Sequence, residues 1–153
     1  MKQNDFEVIL RQDFGVNKVT WLKWDRIEIY GHSDGIVRYV NDNRILMTNY
    51  AEYDKNIAAS FREALEHDGY EVKELCFKPC APRNSKDFSW AYINFLQTPK
   101  VIIVPLLGIE EQDKEALKQI QDTYPDVDVK GVYAMPLVEK GGGFNCFSWT
   151  VKE

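Results

Sequence analysis

Four residues of the 153-residue chain could together do chemistry: His32, Asp34, Asn94 and Cys146. A thiol is a nucleophile near neutral pH only beside a base or a positive neighbour, and histidine is the usual partner. A carboxylate two positions from that histidine can hold a cation or orient a donor. Cys146 closes the run Gly141-Gly142-Gly143-Phe144-Asn145-Cys146, whose glycines free the backbone to turn and let a ligand come close. Thiol, imidazole and carboxylate together suit attack on a planar, positively charged carbon, of which a guanidinium is one. Taken singly, the residues have plainer readings. Cys146 alone reads first as a buried structural cysteine, and His32 as a turn residue bonded to backbone. Trp90 and Tyr92 read as packing, His67 as a partner of a helix C-terminus, and Asp25 and Glu28 as solvated charges at a strand end.

The elements that must position these residues follow from periodicity. Residues 4 to 14 read as a helix capped by Asn4 or Asp5, with Phe6, Ile9 and Leu10 on one face and Gly15 as the stop. Val19 to Trp24 reads as a strand, and Gly31 to Val40 as an extended segment that puts His32, Asp34, Ile36 and Arg38 on one side. After the turn Asn41-Asp42-Asn43, Arg44 to Thr48 returns as a strand. Asp54 to Asp68 is an amphipathic helix with Ile57, Phe61, Ala64 and Leu65 on its stripe, and Val72 to Phe77 is a further strand. The pattern then recurs: a loop over Pro79 to Lys86, strands over Ser89 to Gln97 and Val101 to Leu106, a helix over Asp113 to Thr123, and a strand over Val127 to Tyr133. Tyr39-Val40 aligns with Phe95-Leu96, and Arg44 to Met47 with Lys100 to Ile103, at an offset of 56. This internal repeat implies units that stack on copies of themselves, and its register sets Asn94 against Arg38. Beyond Met135 a third copy begins, with Gly141 to Gly143 leading into a strand over Phe144 to Val151. The class is α/β, in one domain over residues 1–153, and the pattern reads as an array cut at both ends.

Composition narrows the function. A net charge of −5, with no basic run longer than a pair, argues against nucleic acid as a partner. No apolar stretch approaches the roughly 20 residues of a membrane helix, and Met1 to Asp5 lacks a signal-peptide core. Cys76, Cys80 and Cys146 are an odd number of cysteines and read as reduced thiols of a cytoplasmic protein. The spacing of Cys76 and Cys80 lacks a second ligand pair nearby, so a metal is not expected.

Several segments resemble, in order, those of one family. Gly31-His32-Ser33-Asp34-Gly35 with Val37-Arg38-Tyr39-Val40 resembles the "GHxD…VRFV" segment of agmatine deiminases and bacterial peptidyl-arginine deiminases. Ala91-Tyr92-Ile93-Asn94-Phe95 resembles their "SYxNF" strand. Val101-Ile102-Ile103-Val104-Pro105 followed by Asp113 to Leu117 is similar to "VIVP…DxxAL", and Gly141 to Cys146 to "GGGxxHC". The resemblance implies a pentein fold, a five-unit β/α-propeller of ββαβ modules, of which about two and a half are present as its C-terminal part. It implies Cys146 as nucleophile, His32 as proton shuttle, Asp34 as holder of the guanidinium nitrogens and Asn94 lining the site, with no metal and no organic cofactor. The product is a ureido compound plus ammonia, formed through a Cys-bound thiouronium, as in polyamine (putrescine) biosynthesis from agmatine. Asn145 departs from the family's pattern, which has histidine before the cysteine.

Two functions follow. One is an amidine hydrolase whose partner is a small cationic guanidino substrate, agmatine, or peptidyl-arginine. The other is a non-catalytic truncated pentein that binds or oligomerises, since an open array exposes sheet edges and apolar faces and invites self-association or a partner supplying the missing modules.

Overall fold

A computed structural model describes residues 2–25, 31–77, 88–149 and 151. Helix α1 (Gln3–Phe14) is capped from Lys2, two residues before the expected cap, and ends at Gly15 in the left-handed region (φ 65°). It buries no residue, and it docks instead through Phe6, whose ring stands 6.0 Å from that of Trp21. The expected strand over Val19 to Trp24 is an irregular extended segment. Its tryptophans are turned to α1 and to solvent, and Thr20, with Lys18 just ahead of the segment, is bonded to Asp68, so side-chain contacts hold it in place of a strand ladder. Asp25 at its end is buried and accepts from the Tyr50 hydroxyl, which corrects its reading as a solvated charge. Glu28, Cys80 and the loop over Pro79 to Lys86 lie outside the described residues.

Two ββαβ modules follow. In the first, β1 (Val37–Asn41) runs antiparallel to β2 (Arg44–Met47), and helix α2 (Lys55–His67) returns the chain to β3 (Glu71–Glu74), parallel to β2. The turn is closed by the Asn41 side chain, which accepts from Asn43 N at 3.0 Å. Helix α2 forms where predicted: the Asp54 carboxylate accepts from the backbone N–H of Asn56 and Ile57, and Ala58, Phe61 and Leu65 are buried on its sheet face. The second module repeats this with β4 (Leu96–Gln97), β5 (Val101–Leu106), α3 (Glu110–Thr123) and β6 (Asp128–Tyr133). Arg44 pairs with Glu71 and Val101 with Asp128, the same separation in both modules. The repeat is therefore real, but it matches Arg44 to Val101, one residue away from the sequence alignment.

Two expected extended segments open as turns and reach strand only at their ends. Ser33–Gly35 and Ser89–Ile93 each form a 3-10 turn just ahead of the first strand of a module. The second turn puts Ala91, Tyr92 and Ile93 in the core together, three successive side chains that a two-faced strand would divide between its faces. Asn94 closes the second turn as Ile36 closes the first, so Asn94 is the counterpart of Ile36 and not of Arg38. The tail likewise forms no strand over residues 144–149. After the short helix α4 (Met135–Val138), residues 144–147 are a turn whose backbone bonds point inward, Asn145 N to Asn94 O and Ser148 N to Asn145 O.

The core binds the modules together. Leu46, Leu75 and Phe77 of the first pack in one cluster with Tyr92, Phe95, Ile102, Ala116 and Ile120 of the second. Buried Asp113 accepts from the Tyr92 hydroxyl at 2.8 Å and from the backbone N–H of Leu107 and Gly108, tying a 3-10 turn to the start of α3. Among the described residues, no helix is long and apolar enough to cross a membrane.

Candidate active site

Three turns meet at the joint of the modules, each bringing one of the expected residues. The 3-10 turn before β1 carries Asp34, the end of the turn before β4 carries Asn94, and the C-terminal turn carries Cys146.

Asn94 is wholly buried and organises the other two. Its Oδ1 accepts from Gly143 N at 3.0 Å and from Cys146 N at 3.3 Å, and its backbone carbonyl accepts from Asn145 N at 3.1 Å. Its Nδ2 donates to the Asp34 carbonyl at 3.2 Å. One buried carboxamide thus fixes both the cysteine turn and the aspartate turn, a positioning task that the sequence did not reveal.

The Cys146 Sγ lies 3.2 Å from Asp34 Oδ2, and the cysteine is exposed, which overturns its solitary reading as buried packing. The same oxygen accepts from Asn145 Nδ2 at 2.8 Å. Burial pushes the Asp34 carboxyl up, but hydrogen bonds from Asn145, Asn94 and Cys146, aided by the His32 charge, hold it below the usual value. Burial pushes the Cys146 thiol up. A backbone contact with Gly143 opposes this, while the hydrogen bond and charge of Asp34 push it up again. The resting pair is a carboxylate accepting from a protonated thiol.

His32 is exposed, in extended backbone immediately before the 3-10 turn, so it stands at the rim of the site. Two residues beyond the expected set complete the constellation. Asn145, which stands where the resembling pattern has histidine, is a hydrogen-bond donor to Asp34. Arg38 donates from Nη1 to Asn145 Oδ1 at 2.7 Å and from Nη2 to Phe95 O at 3.1 Å, and its guanidinium lies over the Phe95 ring at 4.9 Å. The signal for Arg38 was its place on the Asp34 side of the first repeat; nothing local named its partner. No group of three or more metal-ligating side chains occurs among the described residues.

Stacked ββαβ modules joined by such turns define a pentein-type fold, here as a partial array. The model of the Porphyromonas-type peptidyl-arginine deiminase family matches residues 1–151, and the chain belongs to that family. Over 181 residues it is 29% identical to a Lactococcus lactis protein named "Putative agmatine deiminase", with 97% of this chain and 48% of that protein covered. The solved agmatine deiminase of Enterococcus faecalis superposes with a TM-score of 0.75 at 25% identity, over 95% of this chain and 47% of that one. The Campylobacter jejuni agmatine deiminase shares the fold, with a TM-score of 0.75 at 20% identity, over 95% of this chain and 46% of that one. The chain spans about half the length of the curated relatives it matches.

Proposed function

We propose that the chain carries the thiol site of an amidine hydrolase that converts the guanidino group of agmatine or peptidyl-arginine to a ureido group and ammonia. The observation that carries this reading is the 3.2 Å approach of Cys146 Sγ to Asp34 Oδ2. A guanidinium held by Asp34 brings its central carbon beside the sulfur. Its positive charge also offsets the carboxylate that keeps the thiol protonated, so thiolate forms as substrate arrives.

The chemistry then balances in two halves. The Sγ–carbon bond forms as the thiol loses its proton to solvent, and one C–N bond breaks as His32 gives a proton to the departing ammonia. Water next adds to the thiouronium carbon while His32 takes a proton from it. The C–S bond breaks as the proton of the new hydroxyl passes to sulfur, releasing the ureido product and returning the thiol. Asn94 works from behind, holding the turns that bring sulfur and carboxylate together. The family and the relatives named for agmatine deiminase support this reading.

The test is alkylation of Cys146 by 2-chloroacetamidine, a cation shaped like the reacting group, with agmatine as protector, alongside assay of ureido product. Protection by agmatine, and loss of both labelling and product in Cys146→Ala, are expected. Labelling that agmatine does not slow, with no ureido product, would leave the chain a binding or self-associating module.

A further inference from the structure

The bond from Asn145 to Asp34 has a direction that a carboxamide alone cannot guarantee. A carboxamide presents NH2 on one side and a carbonyl on the other, and the wrong orientation would set an acceptor against the Asp34 carboxylate. Arg38 removes that ambiguity. A guanidinium only donates, so the Asn145 oxygen must face Arg38 Nη1, at 2.7 Å, and the NH2 must face Asp34 Oδ2, at 2.8 Å. Arg38 is itself immobilised by the Phe95 carbonyl at 3.1 Å and by the Phe95 ring beneath it.

We propose that Arg38 and Asn145 form a relay of fixed polarity that positions the Asp34 carboxylate for a guanidinium. Both are positioning residues: Asn145 acts on Asp34, and Arg38 acts through Asn145. The relay rests on the reading of Asp34 as the residue that holds the substrate cation. It also accounts for asparagine before the cysteine: its amide supplies the donor without titrating near neutral pH.

The groups facing this relay are few. Asp34 is faced by His32 from its own turn, by Cys146 from the C-terminal turn and by Arg38 from β1. Arg38 is faced by Tyr124 at the end of α3 as well as by Asp34 and Cys146. The bond from Asn145 and the charge of His32 both favour ionised Asp34. Removing the relay therefore moves the carboxyl up towards its ordinary value.

The experiment compares alkylation of Cys146 by cationic 2-chloroacetamidine and by neutral 2-chloroacetamide, between about pH 3 and 9, a range that spans the ordinary carboxyl and thiol values. The wild-type protein is expected to favour the cation. Arg38→Met and Asn145→Leu should each lose about tenfold of that preference, as for loss of a hydrogen bond to a charged group, and move the acid limb of the cation profile upward. The rate of Asn145→Leu with the neutral reagent should hold, since Asp34 stays ionised at the pH where the thiol titrates. Arg38→Lys, which keeps a donor toward the Asn145 oxygen, should retain part of the preference. If Arg38→Met does not fold, Asn145→Leu decides alone, because it leaves Arg38 on Phe95. Wild-type preference and profile in Asn145→Leu would overturn the relay while leaving the deiminase reading intact. A wild-type protein indifferent to reagent charge would overturn the role of Asp34, and the relay with it.

Discussion

Gly143 and Asn94 stand in contact too close for any side chain between them. A Cβ added at Gly143 would lie 2.7 Å from both the carbonyl oxygen and the Oδ1 of Asn94. The last glycine of the run before Cys146 is thus required by packing against buried Asn94. Gly143→Ala is expected to force this contact open, destabilising the protein by about 1–3 kcal/mol and slowing alkylation of Cys146. Denaturant melts and labelling rates check it; an unaltered melt with wild-type labelling would refute the close-contact account.

Asn94→Ala removes the acceptor of two backbone donors, the buried Gly143 N and the partly buried Cys146 N. Leaving a buried donor unmet costs about 1–3 kcal/mol, so a loss of at least about 1 kcal/mol is expected in urea unfolding. Asn94→Asp keeps the acceptor and should lose less. Equal losses in the two variants would argue against the bonds as the cause.

Asp34→Asn should make the thiol more acidic. Burial is the first cause of the raised Cys146 value and remains, but the upward push of the Asp34 hydrogen bond and charge is removed. The pH midpoint for alkylation by neutral iodoacetamide should therefore fall. A midpoint that stays or rises contradicts the coupling of the two groups.

The two shifts also set the pH dependence of stability. Asp34 titrates below its ordinary value of 3.8 in the folded protein, so its contribution is present above that value and is lost as pH falls through the folded value. Cys146 titrates above its ordinary value of 9.0, so its contribution is present below that value and is lost as pH rises through the folded value. Melting temperatures of Asp34→Asn should accordingly depend less on acid than those of the wild type, and a parallel acid limb would contradict the assignment.

Much of the architecture was legible because it is written in short-range patterns. Helix α2 showed its apolar stripe between Asp54 and Asp68, and β5 its continuous apolar run. The 3-10 turns were not legible, because runs such as Trp90-Ala91-Tyr92-Ile93 look alike whether they extend or coil; burial on all sides decides, and that comes from the other module. Of the site, the chemically distinctive residues could be singled out. The Arg38–Asn145 bond could not, since it joins residues 107 positions apart and neither is unusual in its own segment.

The turn that presents Cys146 has no regular helix or strand of its own; its backbone is held largely by Asn94. Asp34 and Asn94 are equally remote from each other along the chain, joined by a bond across 60 positions. Loop closure over such distances carries an entropic cost before any contact rewards it. The surroundings of Cys146 are therefore conditional on the docking of two modules. Reactivity at Cys146 becomes a gauge of that docking. Under mild denaturant, amides of Gly143, Asn145 and Cys146 should exchange with solvent no more slowly than Asn94 loses its order, and those at the centre of β5 should outlast them.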